Sequence, residues 1–434
     1  MHTVSRYVLK SSLALALIGL SAPALFAATR CVNPSGTSGC SSTISAAVAA
    51  AAPGDTIKVA TGVYNEEVTI TRPVSLVGQN QRNTVINAAG LDHGVNIDGQ
   101  NNSGLSHVLV TGFTVQNANF SGILITNASA VTINDDHVKN NDRNLSGAQC
   151  PGLPTPFSPA DNLDCGEGIH LSGVDHSTFS NNLVDHNAGG ILVSDDSGAT
   201  HDNVITENVV YKNVPDCGIT LASHQQGGVF HNVISANAVE ESGGAGVGIF
   251  APGPGNQDYA NVVINNRLTG NGQPGVTMHN HAAPGQGPVP PQAPPVVFSD
   301  NIIVGNTISG NAQDTADAAT SGPTGINIFS LTPMPGTIIE QNSISQEDLD
   351  VAIKVPASSN GATDFQLHYN DLNKHVGVQN SGAAGVDATE NWWGCPFGPG
   401  HGGCSSIMGT GVSFNPWLTR PFNSHDESHH GHGD

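Results

Sequence analysis

The sequence has few cations. Lys and Arg number 13 against 35 Asp and Glu in 434 residues, a formal net charge of −22. That balance argues against a nucleic-acid partner, whose phosphates would be repelled. It also argues against a pectate-like polyanion unless a bound divalent cation bridges the two; that cation is the candidate cofactor. Aromatic residues are scarce at 5%, while glycine reaches 52 residues. Many short turns suit that composition better than large helices. No CxxC pair is present, which leaves a cysteine metal site without its usual spacing. Past the N-terminus no apolar run is long enough to cross a membrane.

The N-terminus is the exception. Arg6 and Lys10 precede "SSLALALIGLSAPALFA", and small residues close the run near Ala28. This predicts a signal peptide over 1–28 and a secreted, periplasmic or cell-surface product. Export permits disulfides. By proximity Cys31 pairs with Cys40, Cys150 with Cys165 and Cys395 with Cys404, leaving Cys217 alone, although sequence does not fix connectivity.

A repeat organises the rest. Glycine followed by Ile or Val returns as "GVNI" at 94, "GILI" at 122, "GIHL" at 168, "GILV" at 190, "GITL" at 218, "GVGI" at 246, "GVTM" at 275 and "GINI" at 325. Asn208, Asn237 and Asn266 keep step with it. Such fixed periods signal a solenoid. Each unit alternates apolar and polar residues with period two, and none holds a convincing amphipathic helix. The expectation is an all-β, right-handed parallel β-helix of about ten coils with three short strands per coil. Ile191 and Val193 point inward and stack on Ile219 and Leu221. Asparagines mark the bends, forming ladders up the axis and tolerating left-handed turns.

A solenoid must cap its ends. An Ala-rich helix at about 43–52, stopped by Pro53-Gly54, covers the front within an N-terminal cap of about 31–80. Trp392, Trp393 and Trp417 close the back within a cap of about 387–420, with a sugar-stacking platform as their rival role. The body spans 29–420, and a His-rich tail fills 421–434.

"PGDTIKVATGVYNEEVTITRPVSLVG" resembles the N-terminal cap and first coil of secreted pectin-lyase-like β-helix proteins. The glycine-led units resemble the β-helix repeat family that includes the periplasmic accessory protein of nitrous oxide reductase. The resemblance implies carbohydrate chemistry of the hydrolase, lyase or epimerase type on a polysaccharide or cell-surface glycan, by a monomer. It equally admits tailspikes, adhesins and other non-catalytic glycan-binding proteins.

Outward positions are the second and fourth after each glycine. They give His170, Ser172, Ser194, Thr220 and His279. Asp195, Asp196 and His224 lie just past the strands, and Asp164, Glu167 and Asp216 just before them. Adjacent coils are about 4.8 Å apart, so Asp196 is placed to face a groove beside His224, while Asp195 bonds turn amides. Candidate catalytic residues are therefore Asp196, His224, Asp195, His170, Glu167 and His279, acting as acid and base on a glycosidic or uronate bond. Insertions at 142–164 and 281–297 would wall the groove. "INDDH" and "SDD" faintly resemble the Asp pairs of polygalacturonase-type hydrolases, but "RIK" is absent and the one "GHG" lies in the tail. The paired arginines of pectate lyases are missing too, which favours a neutral or weakly charged glycan. In the tail, His425, His429, His430 and His432 are candidate ligands for a transition metal.

Overall fold

The computed structural model describes residues 27–143, 150–154, 162–280, 294–315, 320–359, 363–373 and 375–422. The apolar run expected to be a signal peptide, the His-rich tail and most of the two insertions expected to wall the groove lie outside them. Every named strand pair is parallel, and strands stack in register one coil apart. Three long sheets hold 14, 12 and 11 strands, so the solenoid has more turns than the expected ten. The count fell short because the coils at Val68–Ile70, Leu349–Lys354 and Ser406–Gly409 lack the glycine-led signature.

The repeats fall where their periodicity places them. Ile169, Ile191, Ile219 and Val247 occupy one register position on successive coils. Val193 pairs in the same way with Leu221. All of these apolar side chains are fully buried in one continuous core. Close approach explains the leading glycine: a Cβ on Gly190 would lie 2.1 Å from the Gly218 carbonyl oxygen and 2.5 Å from Val210 Cγ1.

The asparagine ladder is longer than three rungs suggest. From Asn182 it climbs through Asn208, Asn237, Asn266, Asn306, Asn342 and Asn370 to Asn391. At Asn237 the backbone amide and Nδ2 both donate to Asn266 Oδ1, at 2.9 and 3.0 Å. Nδ2 also donates to the Ile205 carbonyl, so each rung satisfies a bend inside the core. Asparagines do take left-handed turns, as at Asn181 and Asn265, though not on the rungs themselves. The left-handed conformation belongs to the residue before the rung, with Glu207 at φ 56° and Ala236 at φ 54°. The ladder asparagines are chosen for their amide groups, which must reach both neighbouring coils.

A short fourth sheet of four strands escaped the sequence reading. Its outer edge stacks His201, Phe230 and Tyr259, with ring centroids 4.8 and 4.9 Å apart. At the front, a helix spans Ile44–Ala50; Thr43 caps it and Ile44, Ala47 and Val48 are buried. It ends just ahead of Pro53, because the residue before proline avoids the helical region. At the back, Trp393 is fully buried in the core and so plugs the end; it offers no sugar platform.

Candidate active site

The site lies on the outer face of the 12-stranded sheet. Strands Glu167–Ser172, Gly189–Ser194 and Ile219–Ala222 lie side by side there. Period-two alternation sends Ile169 and Leu171 inward, and so sends His170 outward.

Asp195 and Asp196 part company where their strand turns. Asp195 folds into the next turn. Its Oδ1 accepts from the amides of His224, at 2.6 Å, and Gln225, at 2.8 Å. Its Oδ2 accepts from the Gly228 amide at 2.8 Å and the Ser223 hydroxyl at 3.0 Å. It is a buried organiser of the 223–228 turn. Asp196 turns instead to two imidazoles, buried beneath the cavity-lining His224. Its Oδ1 lies 2.9 Å from His224 Nδ1. Its Oδ2 accepts from the Ser194 hydroxyl. That same oxygen is 3.5 Å from His170 Nε2, which in turn is 2.9 Å from Ser194 Oγ.

His224 is held between acids. Its Nε2 lies 3.5 Å from Asp164 Oδ2. Burial works against its charge, but the charge and hydrogen bond of Asp196, with Asp164 and Asp195 nearby, outweigh it and raise its pKa to about 9. Burial likewise opposes ionisation of Asp196, yet His224 and His170 hold its carboxyl well below the ordinary carboxylate range. The pair is therefore a buried imidazolium–carboxylate at neutral pH.

Beyond His224 three more carboxylates meet. Oxygens of Asp164, Glu167 and Asp216 all lie within 4.8 Å of one another. Asp164 comes from the 3₁₀ turn Asn162–Cys165, Glu167 opens the adjoining strand, and Asp216 precedes Ile219–Ala222. Three like charges this close favour a shared proton or a cation between them. The all-oxygen donor set suits a hard divalent cation. The sequence placed these residues together just before the strands, but only Glu167 stood among the leading candidates. Asp164 and Asp216 lay in stretches with no strand alternation to fix where they point.

His279 stands apart. It lies two coils on, and its Nε2 is 2.7 Å from Thr277 Oγ1, 3.0 Å from Asn327 Nδ2 and 3.2 Å from Asp314 Oδ2. Asp314 was not anticipated, since it comes from an irregular segment after the Thr307–Ser309 strand. A cavity of about 360 Å³ joins the two groups, with Asp164, Asp216 and His224 towards one end and His279 and Asp314 towards the other. Phe250 lines it between them, and among the described residues neither Lys nor Arg does so. Cys217 also lines the cavity. Burial pushes its thiol pKa well up, so it is no nucleophile. The three expected disulfides are formed, and Cys217 is the free cysteine.

The profile of the right handed beta helix region matches residues 78–257. A search of curated proteins returns no match. Among solved structures, the Dettilon tailspike protein (gp208) is similar with TM-score 0.55 and 14% identity, over 83% of this chain and 62% of that one. This chain thus spans less than two thirds of the tailspike. Pectate lyase Pel9A is similar with TM-score 0.53 and 14% identity, over 79% of each chain. Neither likeness bears on the nitrous oxide reductase accessory protein. The parallel coils, the asparagine ladder and the profile agree, and the chain folds as a right-handed parallel β-helix.

Proposed function

We propose that the groove binds a polysaccharide and hydrolyses it, with the carboxylates of Asp164, Glu167 and Asp216 supplying acid and base. The observation that carries this reading is their convergence beside the Asp196–His224 pair, with Asp164, Asp216 and His224 lining one cavity. The similarity to pectate lyase Pel9A supports a carbohydrate, at the level of the fold. The lining argues for hydrolysis over elimination. β-Elimination needs an acidic proton beside a uronate carboxylate, and among the described residues this groove offers that anion no lysine or arginine.

Hydrolysis fits the spacing. Carboxyl groups about 5–5.5 Å apart serve retaining glycosidases, one as acid and one as nucleophile. In this reading one carboxyl of the trio keeps the shared proton and gives it to the leaving oxygen. Another, ionised, attacks the anomeric carbon as the glycosidic C–O bond breaks, and water deprotonated by the first carboxyl then cleaves the glycosyl ester and restores both groups. The His224 cation, oriented by Asp196, favours the ionised partner. His279 and Asp314 then bind a more distant sugar. A divalent cation among the three acids would instead supply electrostatic stabilisation of developing negative charge. The disulfides fit an exported protein.

The test is a panel of dextran, arabinoxylan, galactomannan, chitosan, polygalacturonate and alginate. New reducing ends without ultraviolet-absorbing unsaturated products, lost in Glu167→Gln, support the reading. Unsaturated products overturn the hydrolytic part. Glycan binding without any cleavage favours the non-catalytic alternative.

A further inference from the structure

A separate apolar cluster sits on the same face of the sheet as the candidate site, on its N-terminal side. Leu124 faces outward on the strand Ile123–Thr126, in register with His170 and Leu192. Those three outward side chains are 1%, 1% and 0% exposed. Over Leu124 sits a small apolar cluster of Phe120, Leu153 and the Cys150–Cys165 disulfide, separate from the solenoid core. Three ties hold this ridge down. The disulfide closes its base. His93 Nε2 donates to the Pro151 carbonyl at 3.1 Å, and Ser121 Oγ donates to the Cys165 carbonyl at 3.3 Å. Burial keeps His93 neutral for that role, pulling its pKa down to about 4.

The other direction is different. Every residue lining the cavity lies between Asp164 and Asp314, on the C-terminal side of the ridge. There a second outward row, two residues further along each strand, carries a track of rings. Phe250, His279 and Phe329 share one register position on successive coils, ending at Lys354. Gly248 makes room for the first of them: a Cβ there would lie 2.3 Å from Phe250 Cε2, so the ring folds back over the glycine. The acids of the candidate site thus stand between the ridge and the ring track.

We infer that this site takes the end of a glycan chain: the Cys150–Cys165 ridge stops the chain at the acids, and the rest lies along the ring track toward Phe329. The inference rests on the hydrolytic reading above. A polymer bound through its middle would have to pass over the ridge, which stands on the same face of the sheet. A chain end needs no such passage.

The experiment follows early products from whichever member of the panel is cleaved, with viscosity recorded alongside. A second probe is the matching oligosaccharide carrying a 2-aminobenzamide label at its reducing end. End action releases one short product from the start while viscosity holds. Label on that product places the reducing end at the acids, and label on the remainder places the non-reducing end there; both support the inference. A ladder of sizes with an early drop in viscosity overturns it and leaves the hydrolytic reading standing. Cleavage of no panel member overturns the hydrolytic reading and this inference with it. Cys150→Ser combined with Cys165→Ser, and separately Leu153→Asp, should shift the products toward a ladder. Phe250→Ala should raise KM for longer oligosaccharides more than for the shortest substrate. An unchanged chain-length dependence overturns the track.

Discussion

Replacing Asp195 by Asn separates the organiser of the turn from its neighbour beneath His224. The carboxylate accepts four hydrogen bonds, three from backbone amides and one from Ser223. An amide of the same shape keeps one acceptor oxygen. If that oxygen serves His224 and Gln225, the new NH₂ faces the Gly228 amide, donor against donor. One buried amide is orphaned, and the remaining bonds lose their charge assistance. Bonds to charged groups contribute about 1.5–3 kcal/mol each, so a net loss of about 3 kcal/mol is expected. Relief of carboxylate desolvation keeps it from being larger.

Asp196→Asn should behave otherwise. The substituted amide can still accept from Ser194 through its oxygen, while its NH₂ donates to a neutral His224 Nδ1. The polar contacts survive but His224 loses the main source of its charge, so the cost should be small near pH 9 and grow as pH falls below it. The assay pairs urea denaturation with nitrogen NMR of the imidazole. Asp195→Asn should lower the denaturation midpoint; Asp196→Asn should move the His224 pKa down from about 9. If Asp195→Asn costs under about 1 kcal/mol, the four bonds do not organise the turn as argued.

Other outcomes follow from the same geometry. Ile219→Asp puts a charge without a partner into a one-dimensional core, costing several kcal/mol, and soluble yield should collapse. Normal yield and melting would show that the inward face is misassigned. The folded-state pKa of His224 is raised, so its stabilising contribution is full below about pH 6.5 and is lost as pH rises through about 9. Urea midpoints should fall across that window in the wild type and stay flatter in His224→Gln. Asp136 occupies the rung before Asn182, accepting from the Phe113 amide at 2.7 Å, and burial pushes its pKa well up. Its penalty therefore grows as pH rises above about 4, and Asp136→Asn should stabilise the protein increasingly from there. A pH-independent difference between the two proteins would show that Asp136 does not titrate in the rung.

Much of the fold was legible because a solenoid writes its core into the chain as a period. Each inward Ile or Val recurs beside its neighbour, so one aligned glycine positions the whole coil. The ladder was legible for the same reason, since a rung works only if the next coil repeats it. Missing were features without repetition. The four-stranded sheet begins at Thr200–His201, a strand of two residues with no alternation to detect. The left-handed residues Glu207 and Ala236 are of unrelated types. What the bend demands of them is a backbone angle, and no single side chain encodes it.

The candidate site divides along the same line. His170 and His279 were placed by alternation, and both lie on the outward face. Asp195 and Asp196 were separated by the argument that neighbours on a strand point opposite ways, and their hydrogen bonds do part, Asp195 to the turn amides and Asp196 to His224 and Ser194. Alternation says nothing about residues off the strands. Asp164 sits in a 3₁₀ turn held by a disulfide, Asp216 in a connection, and Asp314 in an irregular segment. These three line the cavity, and Asp164 and Asp216 complete its carboxylate trio. The rigid coil supplies positions at fixed spacing, and the irregular segments bring in carboxylates that the coil does not supply. A function built on this scaffold can therefore change through its connections while the periodic core stays the same.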